Sequence, residues 1–175
     1  ANGPECALAF AGSGADGKAA ERCGQVFFPG CQLAGARGEQ VLAVYETLRK
    51  ELGSVGLLLQ CCGVPAQWAG EEKLFAETVE GLKSTWESLG RPRVIAACAS
   101  CCKTLREALP EVSVVSLWEV LDTECPSLSF REEACCGGVP TLSIHDPCSA
   151  RHDEAWLRSV RSLLSKRGVP FEEPR

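Results

Sequence analysis

Val26-Phe27-Phe28-Pro29-Gly30-Cys31 is the stretch that decides the fold. A short apolar run reads as a strand, Pro29-Gly30 stops it, and Cys31 follows in the loop. Val41, Val44, Tyr45, Leu48 and Leu52 then recur at helical spacing, and Gly53 closes that helix. The same order returns twice. Val55 to Leu59 reads as a buried strand ending at Cys61-Cys62-Gly63, followed by a long helix marked by Leu74, Phe75, Val79, Leu82, Trp86 and Leu89 and closed by Gly90. Val94-Ile95-Ala96-Ala97 is the next strand, with Cys98 at its end and a helix from about Ser100 to Leu109. Val112 to Val115 reads as a further strand, with a short helix around Leu117 to Leu121. Strands alternating with helices predict an α/β fold with a largely parallel sheet and flanking helices.

On either side of this core the pattern weakens. Residues 1–25 are rich in Ala and Gly without periodicity and read as a linker or loosely held arm, with Cys6 and Cys23 in no clear motif. The regular region spans 26–123. Residues 124–140 read as an irregular connector carrying Cys125 and Cys135-Cys136. Over 141–175 the early pattern resumes: a strand from Thr141 to Ile144, a turn at Asp146-Pro147-Cys148, a helix to about Lys166 and a last strand over Val169 to Glu172. Val26 to Gly30 leading into Cys31 thus resembles Leu142 to Pro147 leading into Cys148, an internal repeat whose second copy is unfinished. At the first copy's spacing its paired cysteines would fall beyond Arg175. The absence of methionine, position 1 included, leads us to expect a piece of a longer translated product.

The chain has 175 residues, enough for one domain with a sizeable core, and 45% hydrophobic and 23% charged residues are ordinary for a globular protein. A net charge of −5 with no concentrated basic face argues against a nucleic-acid partner. The longest aliphatic stretch, around Val55 to Leu59, is too short to span a bilayer, and no basic-then-apolar opening marks a signal peptide. Twelve cysteines could staple a small secreted domain, but this chain is larger and carries helix-sized amphipathic segments. A reducing compartment, the cytoplasm, with thiolates bound to a metal is the expectation.

In open parallel sheets, sites form outside the carboxyl ends of the strands. Cys31, Cys61, Cys62, Cys98 and Cys101 all fall there, and so does Cys148. Thiolates are soft ligands that suit iron–sulfur clusters, zinc and copper(I). Cys98 and Cys101 can bite one centre because a loop entering a helix brings i and i+3 together, and the helix amides favour thiolate. Cys61 and Cys62 reach one centre only from a tight turn, which Gly63 permits, or when the centre is larger than one atom. Five ligands suit a multi-iron cluster, whereas a single zinc takes four. Buried structural thiols and, for Cys98-Ala99-Ser100-Cys101 alone, a thioredoxin-like dithiol remain as alternative readings.

The pattern C-x29-CCG-x34-CxxC, preceded by Phe28-Pro29-Gly30, resembles the cysteine-rich CCG domain of heterodisulfide reductases and related iron–sulfur oxidoreductase subunits of anaerobes. The resemblance covers roughly Val26 to Arg151. It implies an α/β domain, often duplicated, with Cys31, Cys61, Cys62, Cys98 and Cys101 as ligands of a noncubane [4Fe-4S] cluster that takes part in disulfide reduction. It also implies ferredoxin-like or flavin-containing partner subunits and a disulfide substrate, with a structural zinc module as the alternative. His145-Asp146-Pro147-Cys148 looks like the opening of the family's second copy. The first spacing is slightly shorter than the family's, the second copy lacks its paired cysteines and CxxC, and Cys135-Cys136-Gly137 has no place in the pattern. Around the site, Cys102 is expected to be a spare thiol, His145 to be structural and His152 to be solvated. Trp68, Trp86 and Trp156 are expected to pack, and Glu71-Glu72 to occupy a helix's first turn.

Overall fold

The structure is a computed structural model, and it describes residues 8–10, 23–128 and 141–173. Its main sheet has five strands in the order β1-β3-β2-β4-β5, formed by Leu8–Phe10, Gln25–Phe28, Val55–Leu59, Arg93–Ala96 and Val114–Ser116 for β1 to β5. β3, β2, β4 and β5 run parallel, and β1 pairs antiparallel with β3 at one edge. The α/β alternation read from the sequence is therefore the fold. Strand β1 corrects one expectation: part of the Ala- and Gly-rich arm is sheet, paired through Leu8↔Leu59 to Phe10↔Leu57. Three residues are too few to show an alternating pattern.

Each strand distributes its side chains to two layers, because successive residues point to opposite faces. Val26 and Phe28 of β2, Leu58 of β3 and Val94 of β4 form one core with Leu82 and Trp86 of α4 (Glu72–Ser88) and Leu105 of α5 (Ala99–Ala108). Phe27, Leu57 and Ile95 form the other, with Val41 and Leu48 of α2 (Gly38–Leu52) and Leu117, Val120 and Leu121 of α6 (Leu117–Thr123). Trp86 is buried and donates its indole N–H to Pro92 O at 2.7 Å, so its one polar atom is satisfied. A short helix precedes each of the two long ones: α1 (Cys31–Ala36) before α2 and α3 (Val64–Trp68) before α4. α6 opens on a reciprocal cap, Ser116 with Glu119.

The winding reverses at β2. Its following helices, α1 and α2, lead to β3 on one side, while the crossover through α4 returns to β4 on the other. That reversal leaves a crevice beyond the carboxyl ends of β2 and β4, where such sheets place their ligands.

The C-terminal segment runs β6 (Leu142–Ser143), a 3-10 turn at Cys148–Ala150, α7 (Glu154–Lys166) and β7 (Phe171–Glu172). β6 and β7 pair parallel as a separate two-stranded sheet. Both this unit and β2–β3 thus run strand, cysteine-bearing helical turn, helix, parallel strand. The C-terminal unit is held to the main domain through α7 on α6, the edge-on ring pair Trp118–Trp156, and Asp122 accepting from Ser162 and Lys166. Trp156 is core, as expected. Among the described residues no helix is long and apolar enough to cross a membrane.

Candidate metal centre

The five cysteines of the motif meet at the crevice. Pro29-Gly30 ends β2, and Cys31 is the first residue of α1 rather than a loop residue. Gly30 has φ +83° and ψ 155°, backbone that only glycine adopts readily. A Cβ at Gly30 would lie 3.1 Å from Cys101 Sγ and 3.5 Å from Cys98 Cβ, so the Cys31 loop runs against the CxxC turn. The backbone closes the same gap, with Ala97 N–H donating to Phe28 O at 3.1 Å.

Cys61 and Cys62 follow β3 in a turn that ends at Gly63, where φ is +88° in the left-handed region. The Gly63 amide donates to Cys61 Sγ at 3.4 Å. Cys98 caps α5 and Cys101 lies in its first turn. Cys31 and Cys61 sulfurs are 3.8 Å apart, and those of Cys62 and Cys101 are 3.2 Å apart. Cys62 directly follows Cys61, and Cys98 and Cys101 lie one turn apart at the start of α5. The sulfurs therefore form one row, Cys31, Cys61, Cys62, Cys101, Cys98, contributed by three strand ends. Cys62 and Cys101 are buried; Cys31, Cys61 and Cys98 are half-buried. All cysteines among the described residues are free thiols.

Cys62 and Cys98 are pushed toward the thiolate, and Cys61 and Cys101 toward the thiol. The thiols of Cys101 and Cys61 donate to Cys62 and, with the Val64 amide, hold it well below the ordinary thiol range against the cost of burial. Cys101 is raised by its contact with the Cys62 sulfur, then by the Cys98 sulfur and by burial, and Cys61 by the neighbouring Cys62 sulfur and by burial. Cys98 is lowered to about 6 by the Cys101 thiol and then by the Cys101 and Ser100 amides. Two thiolates are thus favoured by thiol and amide donors fixed by a turn and a helix start, rather than by a cationic side chain.

This donor set fits a thiolate-bound inorganic centre: five sulfurs on one crevice, two already favouring the anionic form, and glycine where a side chain would displace a sulfur. Among the described residues no three His, Cys, Asp or Glu side chains are arranged around a single ion. The row would have to bend into a shell to hold one.

The other cysteines stand apart. Cys102 was expected beside the site, but the following helical position turns it away; it is 2% exposed, packs with Ala96, Ala99, Ala150 and Trp156, and donates to Ala96 O. Burial pushes its thiol up to about 12. Cys23 and Cys125 are buried, and Cys125 is pushed up to about 11 by burial. Cys148 is exposed. Its neighbour Ser149 meets Ser100, inside the CxxC, at 2.8 Å between hydroxyl oxygens, a link that no sequence signal announced. Cys6, Cys135 and Cys136 lie outside the described residues.

His145 and His152 are exposed, His152 accepting from Arg151 at 2.9 Å. Glu71 precedes α4 and Glu72 opens it, as expected. Trp68 corrects another expectation: it is 75% exposed rather than packed. It belongs to an uncharged face, since residues 23–36, 52–70 and 94–102 contain no ionisable side chain other than cysteine. Burial accounts for the strands in those runs but not for exposed Gln32, Pro65, Gln67, Trp68 and Ala69.

The chain is thus a doubly wound α/β protein with a thiol-lined crevice at its switch point. Residues 25–106 match the family model of the CCG cysteine-rich domain. No curated protein and no solved structure matches the chain significantly. The domain and its five thiols are consistent with a metal-binding or iron–sulfur redox module.

Proposed function

We propose that Cys31, Cys61, Cys62, Cys98 and Cys101 hold a noncubane [4Fe-4S] cluster in a subunit of a heterodisulfide-reductase-like oxidoreductase. The observation that carries this reading is the convergence of five sulfurs from the ends of β2, β3 and β4 on one crevice. A single zinc uses four ligands, and a row of five suits a centre larger than one atom. When bound, the cluster supplies electron transfer, accepting electrons from a ferredoxin-like or flavin-containing partner and releasing them to a disulfide.

The chain's own residues set the conditions for that transfer. The Val64, Ser100 and Cys101 amides favour the anionic form of Cys62 and Cys98, and hydrogen bonds to ligand sulfur, among them that from the Gly63 amide to Cys61, also tune potential. Buried Cys62 and Cys101 keep water from the inner side, while half-buried Cys31 and Cys61 leave the outer side open to a disulfide. The uncharged rim with exposed Trp68 supports a face covered by a partner's apolar surface, because interfaces place aromatics at the centre and charges at the edge.

One observation favours a second reading. The lowered thiol of Cys98 beside Cys101 suits a cluster-free dithiol oxidoreductase, in which Cys98 attacks a disulfide and Cys101 resolves it. Anaerobic reconstitution with iron and sulfide, followed by EPR and mass spectrometry, separates the two. A paramagnetic iron signal lost in Cys31→Ser supports the cluster. Iron-free protein with a reducible Cys98–Cys101 disulfide supports the dithiol, and colourless protein with one zinc supports a structural module.

A further inference from the structure

We propose that Phe75 is a positioning residue for the Cys61-Cys62 turn. Its ring acts as the clasp of a loop that starts and ends at Gly63. The inference rests on the reading above only in taking that turn as part of the site; the packing itself is independent of it.

From Gly63 the chain goes directly into α3, whose first amides close on Gly63 O, from Ala66 at 3.0 Å and Gln67 at 3.1 Å. The chain then reverses at Gly70, which has φ +76°, and Glu71 N–H returns to Ala66 O at 2.9 Å. Phe75 N–H bonds to Glu71 O at 2.9 Å in the first turn of α4. That turn aims Phe75 back at the point of departure. A Cβ built on Gly63 would lie 2.8 Å from Phe75 Cδ2, 3.2 Å from Cε2 and 3.6 Å from the Phe75 carbonyl oxygen. The ring therefore fills the space over Gly63 that a side chain would take.

Three observations separate this contact from ordinary core packing. Phe75 is half-buried and belongs to none of the hydrophobic clusters among the described residues, whereas Val79, one turn further along α4, packs on the core under β2 and β3. Its neighbour Leu74 is 43% exposed, so this end of α4 contributes little to the core. And Gly63 is the residue whose amide points at Cys61 Sγ, so whatever holds Gly63 sets the direction of that N–H and access to the Cys61 sulfur. The geometry makes Phe75 act on the sulfurs through Gly63; it does not touch them.

The test uses the full chain, reduced, metal-free and under anaerobic conditions. It measures labelling of each cysteine by iodoacetamide through peptide mass spectrometry, for wild type, Phe75→Ala, Phe75→Leu and Val79→Ala. Releasing one local turn is expected to raise labelling of Cys61 and Cys62 about tenfold in Phe75→Ala. Cys98 should stay within about twofold of wild type, and Phe75→Leu should restore most of the protection. Equal labelling of Cys61 and Cys62 in Phe75→Ala and wild type overturns the proposal. So does a rise of all five thiols together, or the same pattern in Val79→Ala, because either indicates general loosening of α4. No metal is present in this assay, so its failure bears on Phe75 alone, while a failure to load iron bears on the cluster alone.

Discussion

Replacing Gly30 by alanine tests whether the Cys31 loop really lies against the CxxC turn. Two costs are expected. The first is backbone strain, since φ +83° with ψ 155° is unfavourable for any residue with a Cβ, at about 1–3 kcal/mol. The second is steric. The new Cβ would be 3.1 Å from Cys101 Sγ, and that sulfur cannot retreat freely because Cys62 Sγ lies 3.2 Å from it. Overpacking of this kind adds about 1–3 kcal/mol. Gly53→Ala is the matched control: Gly53 has φ +80° at the end of α2 and nothing within 4 Å of its Cβ position, so it carries strain without the steric cost. Thermal unfolding of the metal-free chain should place Gly30→Ala below Gly53→Ala by about 2–4 °C for each kcal/mol of that difference. Labelling of Cys101 should rise only in Gly30→Ala. If the two variants melt together and Cys101 stays protected in both, the loop is not packed on that sulfur and the row of thiols is wrong.

Further predictions follow from the same contacts. In metal-free protein, labelling of Cys98 should reach half its maximal rate near pH 6, where its lowered thiol ionises, and Cys101→Ala should move that midpoint toward the ordinary value of about 8.5 by removing the side-chain donor. Because the folded value is the lower one, Cys98's ionisation stabilises the fold fully above about pH 8.5, and that contribution is lost as pH falls through about 6; a midpoint that stays near 8.5 contradicts the assignment. Cys102→Ser should lower stability by about 1–2 kcal/mol in chemical denaturation, because it buries a hydroxyl, yet leave iron loading intact. Arg93→Ala removes a two-pronged ion pair with Glu124 at 3.0 and 2.6 Å, but both side chains are one-third exposed and lie away from the strands' carboxyl ends. It should cost no more than about 1 kcal/mol and leave thiol labelling unchanged.

The fold was largely legible because the apolar runs of β2, β3 and β4 are buried on both faces and each is followed by helix-spaced residues. The site was legible for the same reason: once the strands are parallel, whatever follows each carboxyl end lies on one edge. What escaped depends on tertiary register. Leu8–Phe10 is strand only because β3 offers it an edge. Cys102 follows Cys101 directly, yet one step of a helix turns it into a different cluster. Trp68 carries the signature of a core residue, and nothing in its local sequence says that α3 is too short and too far out to bury it. The packing of Phe75 on Gly63 joins residues twelve positions apart through a reversal at Gly70, and the helical spacing of α4 made Phe75 look like one more core residue.

Metal content after anaerobic reconstitution tests the central claim most directly. The account predicts about four iron and four acid-labile sulfide per chain, brought down by serine at Cys31, Cys61, Cys62, Cys98 or Cys101 and unaffected by serine at Cys102 or Cys125. Iron that stays bound in Cys31→Ser and Cys61→Ser, or a colourless chain carrying one zinc, would contradict it.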